Sequence, residues 1–150
     1  MSGADRPAIV IAAGGAGLRL GGNKPARVLA GRSLLDHMLG WARASSDCLA
    51  LAVASGGGTR GGLPMLPDAR PDLGPIAALA SAFAFATAQG RSHVMLVACD
   101  MPLLPADLAP RLAAAVGAFA AAIPATDGLL HPLAALWRAD EKRLAAYIEA

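Results

Sequence analysis

The sequence predicts an α/β protein whose mostly parallel sheet carries helices on both faces. Short apolar runs rich in β-branched residues alternate along the chain with longer segments of helical periodicity. These runs lack the polar alternation of half-exposed strands, so we expect strands that are buried on both sides. The 150 residues are 55% hydrophobic and 16% charged, which indicates one domain, residues 1–150, with a sizeable core.

A glycine-rich loop separates the first predicted strand from the first predicted helix. Residues 8–13 (AIVIAA) form a buried apolar run, and residues 14–25 (GGAGLRLGGNKP) form the loop. Ser33 is placed to cap the helix that follows. The apolar residues of this helix recur at helical spacing, at Leu34, Met38 and Trp41, and Met38 and Trp41 are expected in the core.

The middle of the chain repeats the strand and helix pattern. Residues 48–54 (CLALAVA) predict a second buried strand, and the glycine-rich stretch 55–62 is expected to be a mobile connection. Residues 63–66 predict a short strand. A helix is expected over 75–89, because a proline suits its first turn and Gly90 suits its end.

The last part of the chain begins with the clearest strand signal, HVMLVA at residues 93–98. It ends at a polar turn, CDMP, which contains Asp100. The elements expected after it are, in order, a helix over 105–115, an apolar run at 118–123, a turn at 126–128, a strand over 131–137 and a helix from Asp140.

The charge distribution favours a small anionic ligand over a polymer. The formal net charge is +2, too small for binding to nucleic acid or an anionic membrane through counterion release. Five cations and no acid lie between Asp5 and Asp36, whereas the rest of the chain is mildly acidic. This local excess indicates a site for a small anion, with solvated surface arginines as the alternative.

The cysteines, the histidines and the amino terminus suggest a reduced, cytoplasmic protein. Cys48 and Cys99 fit neither a zinc spacing nor a disulfide framework, and the three histidines show no paired spacing. The chain starts without the basic segment of a signal peptide. Residues 73–90 are uncharged but alanine-rich and interrupted by polar residues, so a buried helix is expected there and not a membrane span.

The glycine-rich loop is a candidate phosphate cradle, because glycine lets backbone N–H groups approach a ligand closely. It fits neither common nucleotide motif. Lys24 stands between Asn23 and Pro25 and not in Gly-Lys-Ser/Thr, and Leu20 replaces the last glycine of G-x-G-x-x-G. The loop places Arg19 and Lys24 near backbone donors, which suits a triphosphate and its departing pyrophosphate. A solvent-exposed lysine is the alternative.

Asp100 is the candidate metal ligand. An acid at the end of a buried strand either caps a helix or binds Mg2+ in the ligand crevice beyond the carboxyl ends of the strands. Since Pro105 is the better helix start, the pattern favours the magnesium role over capping.

Four segments, in order and across nearly the whole chain, carry a family pattern: IAAGGAGLRLGGNKPARVLAGRSLLDHML, LPDARPDLGPIAALASAF, VACDMPLLPADL and DGLLHPLAALW. They resemble the molybdenum cofactor guanylyltransferases. The resemblance implies a Rossmann-like three-layer α/β/α nucleotidyltransferase fold, with GTP as co-substrate and Mg2+ as cofactor. It implies transfer of GMP to the phosphate of molybdopterin or Mo-molybdopterin with release of pyrophosphate, and no nucleic-acid or membrane partner.

By position, the resemblance implies nucleotide contacts from the backbone of Ala12, Ala13 and Gly14, with Gly15 in the same loop. It also implies that Lys24 contacts the phosphates. The family's loop carries Asp-Lys near its end, whereas here an asparagine precedes the lysine and the loop is one residue shorter.

The same resemblance implies that Asp68 contacts the nucleotide and that Asp100 binds both GTP and Mg2+. Two adjacent N–H donors on the pairing edge of guanine suit the carboxylate of Asp68. Asp72 is the alternative position for this motif, and a solvated loop acid is the alternative role.

Two further departures from the family remain. The second strand offers Val53 and Ala54 where the family supplies an asparagine, and Ser55 is the nearest polar side chain. The family also continues with another strand and helix, which this chain is expected to lack.

The sequence leaves two rival functions open. One is a related nucleotidyltransferase that uses CTP or a sugar phosphate, and the other is a nucleotide-binding module without activity. Gly74-Pro75-Ile76 and His131-Pro132 favour the guanylyltransferase. Transient contact with molybdoenzymes or their chaperones is a further expectation.

Overall fold

A mixed sheet organises the part of the chain that the structure, a computed structural model, describes: residues 6–13, 28–54, 58–68 and 75–149. The strands are β1 Ala8–Ala12, β2 Val28–Leu29, β3 Arg32–Ser33, β4 Leu49–Val53, β5 Thr59–Arg60, β6 Leu63–Pro67, β7 His93–Ala98, β8 Ala121–Ala122, β9 Ala125–Thr126, β10 Leu129–Leu130 and β11 Ala134–Arg138. The helices are α1 Leu34–Ser45, α2 Pro75–Ala88, α3 Leu108–Val116 and α4 Glu141–Glu149.

The centre of the main sheet is parallel, as the sequence predicts. The strand order is β5-β6-β4-β1-β7-β11-β8, and β6, β4, β1 and β7 run in one direction. The flanking strand β5 is antiparallel to β6, and β11 is antiparallel to both β7 and β8. The all-apolar runs thus occupy the centre, where both faces of a strand are covered.

Helices cover both faces of this sheet and make three layers. Ile9 and Ile11 of β1 pack in one buried cluster with α1 and α3, and Ala8 and Val10 pack in a second cluster with α2. Successive residues of a strand point to opposite faces, so β1 contributes to both clusters. The α/β/α fold class expected from the sequence is confirmed.

Helix α1 begins where the capping signal predicts. The Ser33 hydroxyl accepts a hydrogen bond from the Asp36 N–H at 3.0 Å, which satisfies one of the N–H groups at the helix start. Met38 is fully buried, and Trp41 is half-buried against the same cluster. Both helical-spacing expectations are confirmed.

Three local expectations are wrong. The strand expected over 131–137 begins only at Ala134, because Pro132 and Leu133 form a turn before it. The third helix begins at Leu108 and not at residue 105, because the Pro105 carbonyl accepts the Leu108 N–H in a turn that precedes the helix. In the glycine-rich stretch, residues 58–62 are not an irregular connection: Thr59–Arg60 pairs with β6 across a Gly61-Gly62 turn in which both φ angles are positive.

The segment before β11 forms a hairpin of its own. Strands β9 and β10 pair antiparallel across the turn at Asp127 and Gly128, where the sequence predicts one. Because a hairpin, and not a helix, leads into β11, this strand joins the sheet antiparallel to β7. Within the described ranges, no helix is long and apolar enough to cross a membrane.

Candidate functional site

The carboxyl ends of the four parallel strands lie side by side and form the candidate edge. Ala12 is in register with Ala52 of β4 and with Ala98 of β7, and Val53 is in register with Pro67 of β6. Ligands of open α/β sheets bind beyond such ends. Four predicted site residues fall on this edge: Ala12, Ala13, Asp68 and Asp100.

The end of β1 lies between the two acids and is tied into the sheet. The Ala13 N–H donates to the Ala52 carbonyl at 2.8 Å, so the sheet uses this amide. Ala12 and Ala13 are both half-buried. The other predicted members of the loop lie outside the described residues: Gly14, Gly15, Arg19 and Lys24.

Asp68 directly follows β6 and is held by its backbone. Its N–H donates to the Val53 carbonyl at 3.0 Å, which continues the β4–β6 pairing by one step. The side chain is half-buried, and this burial raises the pKa of the Asp68 carboxyl above its ordinary value. A carboxylate that has lost part of its hydration gains from N–H donors supplied by a ligand.

Val53, one of the two positions where the resemblance expects an asparagine side chain, contributes a backbone hydrogen bond. Its backbone carbonyl receives the Asp68 N–H. The position therefore contributes to the edge through its backbone, and any side chain there would serve this bond equally well.

Asp100 stands two residues beyond β7 on an exposed turn. Cys99, beside it, is buried in the cluster under α1 and α3. Further along the same loop, Met101 and Leu104 pack against that cluster. The core therefore anchors both sides of this exposed carboxylate.

The two acids stand at opposite ends of the candidate edge. Three inter-strand steps separate β6 from β7, which places their ends about 14 Å apart at the usual strand spacing. A nucleotide can bridge this gap with its base near one acid and its phosphates near the other. The end of β1 lies between them.

The His131-Pro132 segment borders the same edge on the far side of β7. The Ala98 N–H donates to the Leu133 carbonyl at 3.0 Å, which fixes this segment beside the end of β7. The neighbouring hairpin exposes Leu129 and Leu130, which are 66% and 59% exposed. These exposed leucines are not among the predicted site residues, although two apolar residues directly after an Asp-Gly turn are a signal in the sequence.

A single carboxylate suits Mg2+ better than it suits most other metals. Among the described residues no group of three or more His, Cys, Asp or Glu side chains could hold a metal ion. Mg2+ is commonly bound through one or two carboxylates together with substrate phosphates and water. Asp100, exposed at the strand end, fits that mode of binding.

One cleft in the described structure lies away from the candidate edge. Its volume is about 240 Å³, and it lies between the end of α1 and the start of α3 beside Arg6 and Pro7. Its lining contains none of the predicted site residues and is mostly alanine and proline. It does not change the placement of the candidate site.

Comparison with known proteins identifies the family of the chain. Residues 9–150 match the family described as MobA-like NTP transferase domain. A molybdenum cofactor guanylyltransferase of Acidiphilium cryptum is 39% identical over 132 residues, which cover 85% of this chain and 65% of that protein. One of Sinorhizobium fredii is 37% identical, over 91% of this chain and 71% of that protein.

Solved structures share the fold at low identity. The molybdopterin-guanine dinucleotide biosynthesis protein A of Archaeoglobus fulgidus has a TM-score of 0.72 at 20% identity, over 94% of this chain and 72% of that one. The 2-C-methyl-D-erythritol 4-phosphate cytidylyltransferase of Thermus thermophilus has a TM-score of 0.65, also at 20% identity, over 96% and 76%.

The matches cover most of this chain but a smaller share of its relatives. The chain spans just under two thirds of the Acidiphilium cryptum protein, at 65% of its length. The family match nevertheless covers almost all of the chain, and the parallel core of the sheet agrees with it. The chain belongs to the MobA-like NTP transferase family.

Proposed function

We propose that this protein transfers GMP from GTP to the phosphate of molybdopterin or Mo-molybdopterin, with release of pyrophosphate. The observation that carries the proposal is the placement of Asp68 and Asp100 on one strand edge, on either side of the end of β1. The names of the relatives from Acidiphilium cryptum and Sinorhizobium fredii support guanylyl transfer in molybdenum cofactor biosynthesis.

In this proposal the nucleotide lies across the end of β1, and its phosphates lie near the residues that follow β1 in the chain. The backbone at Ala12 and Ala13, followed in the chain by Gly14 and Gly15, contacts the nucleotide. Arg19 and Lys24 supply positive charge to the triphosphate, and the surplus of cations in this part of the sequence supports that role.

Asp68 is proposed to select the base. Its carboxylate can accept both N–H donors on the pairing edge of guanine, and two parallel hydrogen bonds give orientation as well as affinity. Partial burial disfavours the ionised carboxylate of Asp68, as its raised pKa indicates. Hydrogen bonds from a guanine base offset the hydration that the carboxylate has lost.

Asp100 is proposed to hold Mg2+ against the phosphates. When bound, the ion offsets charge on the phosphates and on the leaving pyrophosphate. Positioning and charge compensation are the main sources of rate in phosphoryl-type transfer, and loss of one such contact costs about 10²–10³ in rate.

The chemistry requires no general base from the protein. A phosphate monoester is largely ionised at neutral pH, so an acceptor oxygen can attack the α-phosphorus of GTP directly. A bond forms from that oxygen to the α-phosphorus, and the bond from the α-phosphorus to the bridging oxygen breaks. Pyrophosphate carries away the electron pair. The protein's part is to align the two substrates.

Titration calorimetry of GTP and CTP, each with and without Mg2+, tests the proposal on the wild type and on Asp100→Asn. We expect wild type to prefer GTP and to bind it more tightly with Mg2+, and Asp100→Asn to lose the gain from Mg2+. Asp107→Asn is the matched control, because Asp107 is an exposed acid of the same loop that pairs with Arg111 at 3.8 Å.

A pyrophosphate-release assay with molybdopterin completes the test. Equal binding of Mg-GTP by Asp100→Asn and wild type would show that the metal assignment is wrong. Tighter binding of CTP than of GTP would favour the cytidylyl alternative. GTP binding without pyrophosphate release would indicate a binding module. Contact with molybdoenzymes or their chaperones stays a prediction.

A further inference from the structure

One side of α1 reaches two separate segments of the chain. His37 Nε2 donates a hydrogen bond to the Leu29 carbonyl at 2.7 Å, and Trp41 Nε1 donates one to the Pro105 carbonyl at 2.9 Å. The two side chains are four residues apart, which places them on the same side of the helix. Both bonds run from a half-buried side chain to the backbone of a loop or hairpin.

The Trp41 bond acts on the segment that carries Asp100. Residues 99–107 join β7 to α3 without regular structure, and the Leu104 N–H meets the Met101 carbonyl only at 3.4 Å. The indole of Trp41 packs in the same cluster as Met101 and Leu104. Trp41 therefore ties this segment to α1 by packing and by a directed bond.

The His37 bond acts on the β2–β3 hairpin, which follows the glycine-rich loop in the chain. Leu29 pairs with Arg32 in the β2–β3 hairpin and lies five residues after Lys24 in the chain. A carbonyl oxygen only accepts, so the ring carries a proton on Nε2. Both the neutral Nε2–H tautomer and the imidazolium can make this bond.

We propose that His37 and Trp41 are positioning residues of the nucleotide site: through α1 they hold the β2–β3 hairpin and residues 99–107, which carry Asp100, in one frame. The proposal rests on the proposed function for its substrate. The main sheet orders β7, but neither residues 99–107 beyond it nor the β2–β3 hairpin pairs in that sheet. Because both hydrogen bonds come from α1, this helix fixes the spacing between the hairpin and residues 99–107.

Hydrogen–deuterium exchange without nucleotide tests the first half of the proposal. Trp41→Phe keeps an aromatic ring but lacks the donor, and we expect faster exchange in residues 99–107 and unchanged exchange in residues 28–33. His37→Leu is expected to give the reverse pattern. Arg43→Leu is the control, because Arg43 makes the same kind of bond from α1, at 2.7 Å, to the Gly61 carbonyl.

GTP titration tests the second half. Trp41→Phe is expected to reduce the gain in affinity from Mg2+ about fivefold, the usual worth of one hydrogen bond, and to have no effect in an Asp100→Asn background. His37→Leu is expected to weaken GTP binding about fivefold with or without Mg2+. His37→Gln, which keeps an N–H donor, is expected to restore most of this loss.

These readouts separate the positioning roles from mere stability and from the proposed function. Exchange that rises equally in both segments, or in neither, would overturn the proposal. A crossed exchange pattern, in which Trp41→Phe affects only residues 99–107 and His37→Leu only residues 28–33, would also overturn it if both variants bound GTP as wild type does. If wild type binds no GTP, the proposed function fails, and the crossed exchange pattern alone decides whether α1 holds the two segments.

Discussion

The two acids of the candidate edge differ in their surroundings, and this difference matches their proposed roles. Asp68 is half-buried with a raised pKa, whereas Asp100 is exposed on its turn. An exposed carboxylate can share a hydrated metal ion with phosphates. A partly desolvated carboxylate gains more from N–H donors of a base. The same residue type thus serves two tasks because burial differs.

Asp68→Asn is expected to raise stability at neutral pH and to lower GTP affinity. The carboxyl binds its proton more tightly in the folded state, so its contribution to folding becomes less favourable as pH rises from its ordinary value, 3.8, through the raised pKa. The stability gain should therefore be present at pH 7 and vanish below the ordinary value. Urea unfolding at several pH values, with Asp107→Asn as control, measures it. A variant less stable at pH 7 would contradict this account.

Among the small elements, two hairpins show what a turn requires. Asp127 and Gly128 have φ angles of 50° and 81°, and Ala30 and Gly31 have φ angles of 52° and 81°. Paired positive φ angles are typical of type I′ turns, which Asx-Gly sequences favour. The first hairpin carries that signal and was predicted as a turn. The second has alanine in place of asparagine, so β2 and β3 are not predictable from the turn sequence.

Ala30→Asn is expected to stabilise the protein. A left-handed conformation costs an L-residue about 1–2 kcal/mol, and asparagine offsets part of this by local hydrogen bonding, so we expect a gain of up to about 1 kcal/mol. Urea unfolding at pH 7 measures it. Gly128→Ala, which places alanine at a φ of 81°, is the converse control and should destabilise. An Ala30→Asn variant with unchanged or lower stability would refute the strain argument.

At the scale of the whole molecule, the sheet divides the core into two clusters. Met38 of α1 lies fully buried on one face and Phe83 of α2, 1% exposed, on the other. The parallel strands supply apolar side chains to both sides, which explains why their sequences lack alternation. Each cluster is closed by its own pair of helices, α1 with α3 and α2 with α4.

Met38→Val and Phe83→Leu are each expected to cost about 1–2 kcal/mol, because both remove buried carbon atoms from a packed core. Since the sheet separates the two sites, the double variant should cost the sum within about 0.5 kcal/mol. Chemical unfolding of the three variants measures this. Met38→Val with Ile11→Val, both in one cluster, is the comparison pair expected to couple. Strong coupling between Met38 and Phe83 would show that the faces are not independent.

Apolar runs in the sequence predicted the buried strands that begin at Ala8, Leu49 and His93, the capped helix after Ser33 and the strand end at which Asp100 stands. These features are local, since burial on two faces, a cap and a strand end each depend on a few neighbouring residues. Only the family resemblance pointed to Asp68. The roles of Lys24 and its loop stay predictions, because those residues lie outside the described part of the chain.

The sequence by itself determined the alternation of strands and helices, the parallel centre of the sheet and the acids at its carboxyl edge. Only the tertiary structure decided that β11 runs antiparallel, that the sheet uses the Ala13 N–H, and that Trp41 bonds Pro105, 64 residues away. The physical reason is range: periodicity records which side of an element is buried, whereas a long-range hydrogen bond depends on where two elements meet in space.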